Sequence, residues 1–257
     1  MPIVDIGQLQ HWISVWLFPF IRIGACLMTG PVFGATYVPP RIKLVLAAGI
    51  TLPIAPLLPA QPAMELLSVA GILTTIEQLL IGAALGFALQ LVFDALALGG
   101  QLIANGMGLG FGINIDPIRG ASTPALGQLY VVLGTLIFLA LDGHLALLGT
   151  LVDSFKGLPV AEQGLDPARL YALASWGSEL FSGALAVALP GVTALLVINL
   201  AFGVMSRAAP SLNLFAVGLP VTLIFGLVIV LFGLPSFGTA CRQLFAEGFA
   251  FMQALTG

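Results

Sequence analysis

The sequence carries very little charge for its length. Only eight basic and eleven acidic residues occur among 257, whereas 59% of the residues are hydrophobic, and the mean hydropathy is +1.11. A soluble domain of this size normally carries charge on about a quarter of its residues. The composition therefore excludes an ordinary soluble domain and indicates a protein that crosses a membrane several times.

The residues that usually build catalytic, metal or nucleic-acid sites are scarce and scattered. Basic residues never form a run, so nucleic-acid binding is not expected. Cys26 and Cys241 are isolated, which argues against a disulfide framework and a zinc site. The only histidines are His11 and His144, and no Gly-x-Ser-x-Gly motif accompanies them. We therefore expect neither catalysis nor a cofactor. No Lys or Arg precedes Arg22, so we expect the first apolar segment to stay in the mature protein.

Long apolar blocks account for most of the chain and predict an all-α membrane protein. Prolines within the blocks predict kinked and broken helical hairpins, because proline removes a helix hydrogen bond. Pro190, for example, is expected to split the fifth block. The six blocks cover residues 12–38, 42–60, 66–98, 125–151, 176–205 and 212–239.

Two neighbouring blocks have unusual lengths for membrane spans. Prolines recur every third residue from Pro53 to Pro62, which predicts polyproline II and leaves residues 41–52, about 18 Å of helix, in block two. Block three runs from Leu66 to Leu98 without proline and would reach about 50 Å as a helix. Within it, Gly82 and Gly86 permit close helix approach. These lengths favour packing inside a protein assembly, and a tilted bundle of six kinked helices is the alternative.

A glycine-rich segment follows block three, and every second residue in it is glycine. The four glycines oppose helix formation by roughly 4 kcal/mol, so we predict an extended loop. Its large side chains, Met107, Leu109, Phe111 and Ile113, would then share one face. In a membrane such a loop must line or close a cavity. The segment reads Gly106, Met107, Gly108, Leu109, Gly110, Phe111, Gly112, Ile113, and its glycine spacing is not that of a phosphate-binding loop.

A few polar side chains lie within the apolar blocks and are candidates for function, because burying them in hydrocarbon is costly. They line either a conduit or a hydrogen-bond network between helices or subunits. Gln90, Asp94 and Gln101 share a face if the helix of block three continues that far. A second such stripe in block five consists of Asn199, Gly203 and Ser206. The candidates are Arg22, Glu77, Asp94, Asn199 and Arg207.

Other polar residues sit between or beside the blocks. His144 follows Asp142 and Gly143 at an expected turn, where it would serve either as a hydrogen-bonded structural residue or as a proton relay. The stretch from Asp153 to Ala174 should be solvated. Arg41 and Lys43 are expected to anchor the chain at the lipid surface.

Several short motifs, taken in order, resemble the FliR family of the flagellar type III export apparatus, called SctT in injectisomes. The glycine-rich segment through Pro117 is one of them. The resemblance covers nearly the whole chain. The other motifs are Phe18-Pro-Phe-Ile-Arg-Ile, Gly30-Pro-Val-Phe-Gly, Val38-Pro-Pro-Arg, Leu141-Asp-Gly-His-Leu, Pro190-Gly-Val-Thr-Ala-Leu-Leu, Ser206-Arg-Ala-Ala-Pro-Ser-Leu-Asn-Leu-Phe and Val217-Gly-Leu-Pro.

The resemblance implies a gate subunit for unfolded exported proteins, located in the bacterial inner membrane at the flagellar basal body. It implies a helical hetero-oligomeric assembly with FliP and FliQ, with FlhB alongside. Residues 1–175 would be a FliP-like part, with a plug loop at 106–122. Residues 176–257 would be a FliQ-like helix pair with a C-terminal tail. Met107, Leu109, Phe111 and Ile113 would seal the pore.

Three alternatives remain open from the sequence. An injectisome gate subunit would belong to the same class but export a different cargo. A small-solute secondary transporter would use broken helices and the buried carboxylates Glu77 and Asp94, although no inverted repeat is found. An intramembrane enzyme would need a nucleophile and a base on facing helices, and the presence of only two histidines in the sequence argues against this alternative.

Overall fold

The computed structural model describes residues 6–35, 38–59, 68–109, 125–160, 165–208 and 214–257. Within these ranges the regular structure is helical, with a short 3-10 turn at Ala55–Leu57, so the prediction of an all-α protein is confirmed. The helices are α1 (Ile6–Thr29), α2 (Pro40–Ile54), α3 (Val69–Gly106), α4 (Ala125–Ala140), α5 (Gly143–Gly157), α6 (Pro167–Trp176), α7 (Ser178–Ala208) and α8 (Leu214–Thr256).

Five helical stretches of the described residues are long and apolar enough to cross a membrane, and a sixth results if α4 and α5 count as one broken span. The helix α3 has 38 residues, which corresponds to about 57 Å. The prediction that block three overshoots a bilayer is therefore confirmed.

The prolines interrupt the helices less than the sequence predicted. The helix α2 includes Pro53 and continues into the 3-10 turn at Ala55–Leu57, so the prediction of polyproline II is wrong over that part. The break predicted at Pro190 is also wrong, because α7 runs through it. The fixed φ of proline suits a helix as well as polyproline II, and each proline removes only one hydrogen bond. Membrane helices tolerate that loss.

The chain forms two units, and the first comprises Met1–Leu91, Asp142–Gly177 and Ala246–Gly257. Its helices α1 and α3 approach closely along the predicted glycine pair. A Cβ on Gly82 would collide with the backbone carbonyl of Arg22, and one on Gly86 would lie 2.5 Å from the Cys26 carbonyl oxygen. Thr29 Oγ1 donates across the contact to the Ala83 carbonyl at 3.2 Å. The two glycines thus allow direct backbone packing.

The C-terminal end of α8 packs within the same unit. The rings of Phe251 and Trp176 stack in parallel at 4.3 Å between centroids, and Trp176 Nε1 donates to the Ala88 carbonyl at 3.1 Å. Gly157 touches the backbone carbonyl of Thr256, where a side chain would not fit. The ends of α5, α6 and α8 are therefore held by specific contacts.

The second unit comprises Val92–Leu141 and Ser178–Phe245. Its core contains three mutually contacting rings, Phe93, Phe138 and Phe245, with centroids 5.3–5.5 Å apart. The helices α3 and α4 meet where a Cβ on Gly100 would lie 2.9 Å from Gly127 Cα. Aromatic packing and small residues at helix contacts are typical of membrane helices.

The stretch from Asp153 to Ala174, which the sequence predicts to be solvated, is exposed only in part. Ser154, Phe155, Leu158 and Val160 are buried, because the end of α5 packs against Arg22. Lys156 Nζ and Asp153 Oδ1 form an exposed ion pair at 2.7 Å. Asp166 caps α6 by accepting from the Arg169 backbone N–H at 2.7 Å. The prediction of a solvated stretch is therefore confirmed for these polar residues and wrong for the buried end of α5.

We expect Gly86→Ala to destabilise the protein by about 1–3 kcal/mol, because the added methyl group meets backbone atoms of α1 that have no room to move. Gly238→Ala is the matched control, since no heavy atom lies within 4 Å of its Cβ position; it should be neutral or stabilising by up to about 1 kcal/mol. Thermal unfolding midpoints of the detergent-solubilised protein measure both effects. Equal midpoints would contradict the close-packing account.

Candidate functional site

The glycine-rich segment begins where α3 ends, at Gly106. The next two residues close a turn, in which the Met107 N–H donates to the Ile103 carbonyl and the Gly108 N–H to the Asn105 carbonyl, each at 3.0 Å. Gly108 has φ +83°, a left-handed conformation that glycine adopts without strain and that commonly terminates helices. The prediction that this segment ends the helix is confirmed.

The extended, one-sided ribbon is wrong for its first residues. Met107 is fully buried, and a Cβ on Gly226 of α8 would lie 2.6 Å from its Cε, whereas Leu109 is 36% exposed. The two side chains therefore have different surroundings. The alternating sequence predicts an extended strand, but the turn that ends α3 and the burial of Met107 are more favourable at these residues. Gly110, Phe111, Gly112 and Ile113 lie outside the described residues.

Asn199 on α7 contacts the start of the glycine-rich segment. Its Nδ2 donates to the Gly106 carbonyl oxygen at 3.1 Å, and a Cβ on Gly106 would lie 3.1 Å from Leu195 Cδ1. The last carbonyls of a helix have no partner within the helix, so this amide satisfies one of them. Asn199 and the Met107–Gly226 contact together fix the end of α3.

Arg22 lies at the centre of a hydrogen-bond network in the first unit and is fully buried. Its Nε donates to Gln78 Oε1 at 2.8 Å. Its Nη1 donates to the backbone carbonyl and the Oγ of Ser154 at 2.9 and 3.2 Å, and its Nη2 donates to the Leu158 carbonyl at 2.8 Å. The guanidinium carbon lies 4.0 Å from the centroid of the Phe155 ring. One side chain thus joins α1, α3 and the end of α5.

All five partners of Arg22 are neutral groups, yet they suit a cation. The C-terminal end of a helix carries partial negative charge and unpaired carbonyls, and Ser154 and Leu158 lie at that end of α5. The Phe155 ring adds a cation–π contact. Arg22 therefore belongs to a hydrogen-bond network between helices of this chain.

The other polar candidates do not join this network. Glu77 and Asp94 are both half-buried on α3, and Asp94 is engaged in a polar or electrostatic contact. Arg207 is exposed near the end of α7. In the same stripe, Ser206 Oγ donates to the Gly203 carbonyl at 2.8 Å. Of these polar candidates, Asn199 is the one with a hydrogen bond to the described part of the glycine-rich segment, residues 106–109.

Gln78 is a functional partner that the sequence analysis missed. It accepts the Arg22 Nε hydrogen bond and lies four and eight residues before Gly82 and Gly86. Positions four apart lie on one face of a helix, and this face packs on α1. The four-residue spacing of Gln78, Gly82 and Gly86 therefore indicates that Gln78 faces α1, where Arg22 lies.

The turn predicted before His144 is present, because α4 ends at Ala140 and Asp142 has φ +55°. The Nδ1 of His144 is buried and has no hydrogen-bond partner among the described residues, so the structure does not support a fully hydrogen-bonded imidazole. No group of three or more His, Cys, Asp or Glu in the described ranges is placed to hold a metal ion.

The sequence of the chain matches a known protein family. Residues 13–248 match the family described as bacterial export proteins, family 1. The chain is 38% identical over 242 residues to the flagellar biosynthetic protein FliR of Escherichia coli K12, covering 94% of this chain and 92% of that protein. The same protein of Pectobacterium carotovorum is 39% identical over equal coverage. That of Bacillus subtilis is 27% identical and covers 90% of each chain.

We expect Arg22→Met to destabilise the protein by at least about 2 kcal/mol. The substitution leaves Gln78 Oε1 and the Leu158 carbonyl without this donor, and each unpaired buried acceptor costs about 1–3 kcal/mol. Arg22→Lys should also be destabilising, because a single ammonium group lacks the planar fork of donors. Thermal unfolding in detergent measures both effects.

Lys156→Met is the control for this experiment, because Lys156 forms an exposed ion pair with Asp153 on α5, the helix whose last turn binds Arg22. Exposed pairs contribute little to stability. The Arg22 network would be refuted as a structural element if Arg22→Met and Lys156→Met unfolded at the same temperature.

Proposed function

Because the chain belongs to the FliR family of bacterial export proteins, we propose that it lines and plugs the pore of the flagellar protein export gate. The chain is a multi-pass inner-membrane component of the flagellar export apparatus. The proposal concerns its role within that apparatus: the glycine-rich segment closes the path through which unfolded flagellar proteins pass.

The fixed end of α3 supports this role more than any other observation. A plug must be flexible at its tip and firmly held at its base, or it would not return to the same closed position. The hydrogen bond from Asn199 to Gly106 and the burial of Met107 against Gly226 provide that base. We propose that residues 106–122 form the plug loop. Leu109, Phe111 and Ile113 would then provide the seal, and Met107 would contribute from the base.

Such a plug works without catalysis. An apolar constriction resists wetting and therefore blocks ions, while glycines let the backbone change conformation when a substrate enters. The proposal includes no enzymatic activity for this chain and no cofactor. The energy for export would be supplied by partner proteins.

We further propose FliP and FliQ as the companion subunits of a helical assembly, with FlhB packed alongside. Residues 1–175 would be the FliP-like part, and residues 176–257 would contain the FliQ-like helix pair and the tail. The two long helices α7 and α8, which follow Trp176, suit that division. Their many exposed apolar side chains, such as Phe181 and Phe232, suit burial against other subunits.

The double substitution Phe111→Ala, Ile113→Ala is expected to raise passive ion conductance of membranes containing the assembled gate several-fold, because it removes apolar area from the seal. It leaves Gly106 and Met107 unchanged, and these two residues are part of the fold. Conductance is measured after reconstitution of the purified assembly in planar bilayers.

The matched control is Leu80→Ala, Phe87→Ala, which removes the same kinds of side chain from an exposed face of α3. This variant should stay non-conducting. If the Phe111→Ala, Ile113→Ala assembly forms with normal mass and is as tight as the wild type, the plug assignment is wrong.

The proposed assembly is tested by purifying the tagged chain from a motile host in mild detergent. We expect one large particle that also contains FliP and FliQ, with its subunit composition read by native mass spectrometry. In a host that lacks FliP, the large particle should be absent. Recovery of the chain from the motile host only as a monomer or small homo-oligomer would favour a small-solute transporter instead.

A further inference from the structure

An aromatic groove runs along the hairpin of α1 and α2, entirely within the first unit. One wall is formed by Trp12, Trp16 and Phe20, which recur every fourth residue and so share one face of α1. The opposite wall is formed by Ala48, Thr51 and Leu52 of α2. The groove has a volume of about 550 Å³. It is therefore large enough for a substantial ligand.

The walls of the groove are almost wholly apolar. Thr51 is the only residue with a hydroxyl group among those just named, and its Oγ1 donates to the Ala47 carbonyl of its own helix at 2.7 Å. The indole N–H groups of Trp12 and Trp16 have no hydrogen-bond acceptor among the residues that the structure describes. The groove thus combines a long apolar surface with two available hydrogen-bond donors.

These donors lie at the start of the apolar part of α1. The 18-residue stretch of α1 that is long and apolar enough to cross a membrane begins at Trp12, and the Trp12 side chain is 66% exposed. Tryptophan is enriched where the hydrocarbon core meets the lipid headgroups, because its ring is apolar and its N–H is polar. Trp16 lies one turn deeper, about 6 Å along the helix axis. The ester carbonyls of phospholipids occupy this boundary region.

We propose that the α1–α2 groove binds one acyl chain of a membrane phospholipid, with an indole N–H of Trp12 or Trp16 donating to an ester carbonyl of the same lipid. The acyl chain covers the apolar walls, and the ester group satisfies the donor. The bound lipid then acts as a structural ligand of the hairpin, because it contacts both helices at once.

Two other occupants fit less well. Water does not fill apolar cavities stably, because it needs two to four polar partners. A helix is about 10–12 Å wide and rises 5.4 Å per turn, so this groove would hold roughly one turn of it, whereas a spanning helix has more than five turns. An acyl chain is narrower than a helix and requires no hydrogen bonds along its length.

The test is native mass spectrometry of the assembled complex, extracted from the inner membrane in mild detergent. Ala48→Leu places a larger side chain in the groove and should remove one retained phospholipid per copy of this chain, with the protein subunits unchanged. Gly49→Leu is the matched control, because a Cβ on Gly49 meets no heavy atom within 4 Å and the residue does not line the groove. It should retain the wild-type number of phospholipids.

The double substitution Trp12→Phe, Trp16→Phe keeps the rings and removes both donors. This variant should lose the phospholipid at a lower detergent concentration than the wild type. If Ala48→Leu does not assemble, this variant alone tests whether the groove binds a phospholipid. Equal phospholipid retention by Ala48→Leu and the wild type overturns the proposal. Loss of a protein subunit from Ala48→Leu with all phospholipid retained also overturns it, because the groove would then hold a partner helix.

Discussion

A buried arginine in a membrane helix needs acceptors, and this requirement governs how the first unit packs. The Arg22 side chain uses donors on all three of its nitrogens, so α1, α3 and the end of α5 must meet at one place. The glycine face of α3 brings its backbone close enough to α1 for Gln78 to reach the guanidinium. Because unpaired polar groups cost several kcal/mol in hydrocarbon, this arrangement is strongly preferred over looser packings of the same helices.

Local features were predictable from the sequence, whereas partners distant in the chain were not. The excessive length of α3 follows from a proline-free run, and the close approach at Gly82 follows from small residues spaced by four. Two of the three residues that accept hydrogen bonds from Arg22 lie 132 and 136 residues away in the chain, and no local sequence pattern connects them with Arg22. Proline was misleading because its fixed φ is compatible with both helix and polyproline II. Met107 is buried because Gly226 of α8 lacks a side chain and leaves room for it. The alternating pattern of the glycine-rich segment contains no information about this distant residue.

In the proposed plug, Gly106 and Met107 form a rigid base, and the residues that follow them form the seal. The end of α3 is held by a side-chain amide and by a buried methionine, both from contacts within the second unit. Beyond Leu109 the sequence still alternates glycine with large apolar residues, which suits a segment that must both bend and exclude water. In the proposed plug, the held base and the glycine-rich seal are therefore adjacent in the sequence.

If the glycine-rich segment is the plug, it must lie inside the pore of the assembled gate. The most direct measurement is a cryo-electron microscopy map of the export apparatus core purified from a motile bacterium in its closed state. The account predicts that residues 106–113 of this chain reach the narrowest point of the central pore, with Phe111 and Ile113 facing the pore axis. A closed pore in which this segment lies on the outer surface of the assembly, with the constriction formed by other subunits, would contradict it.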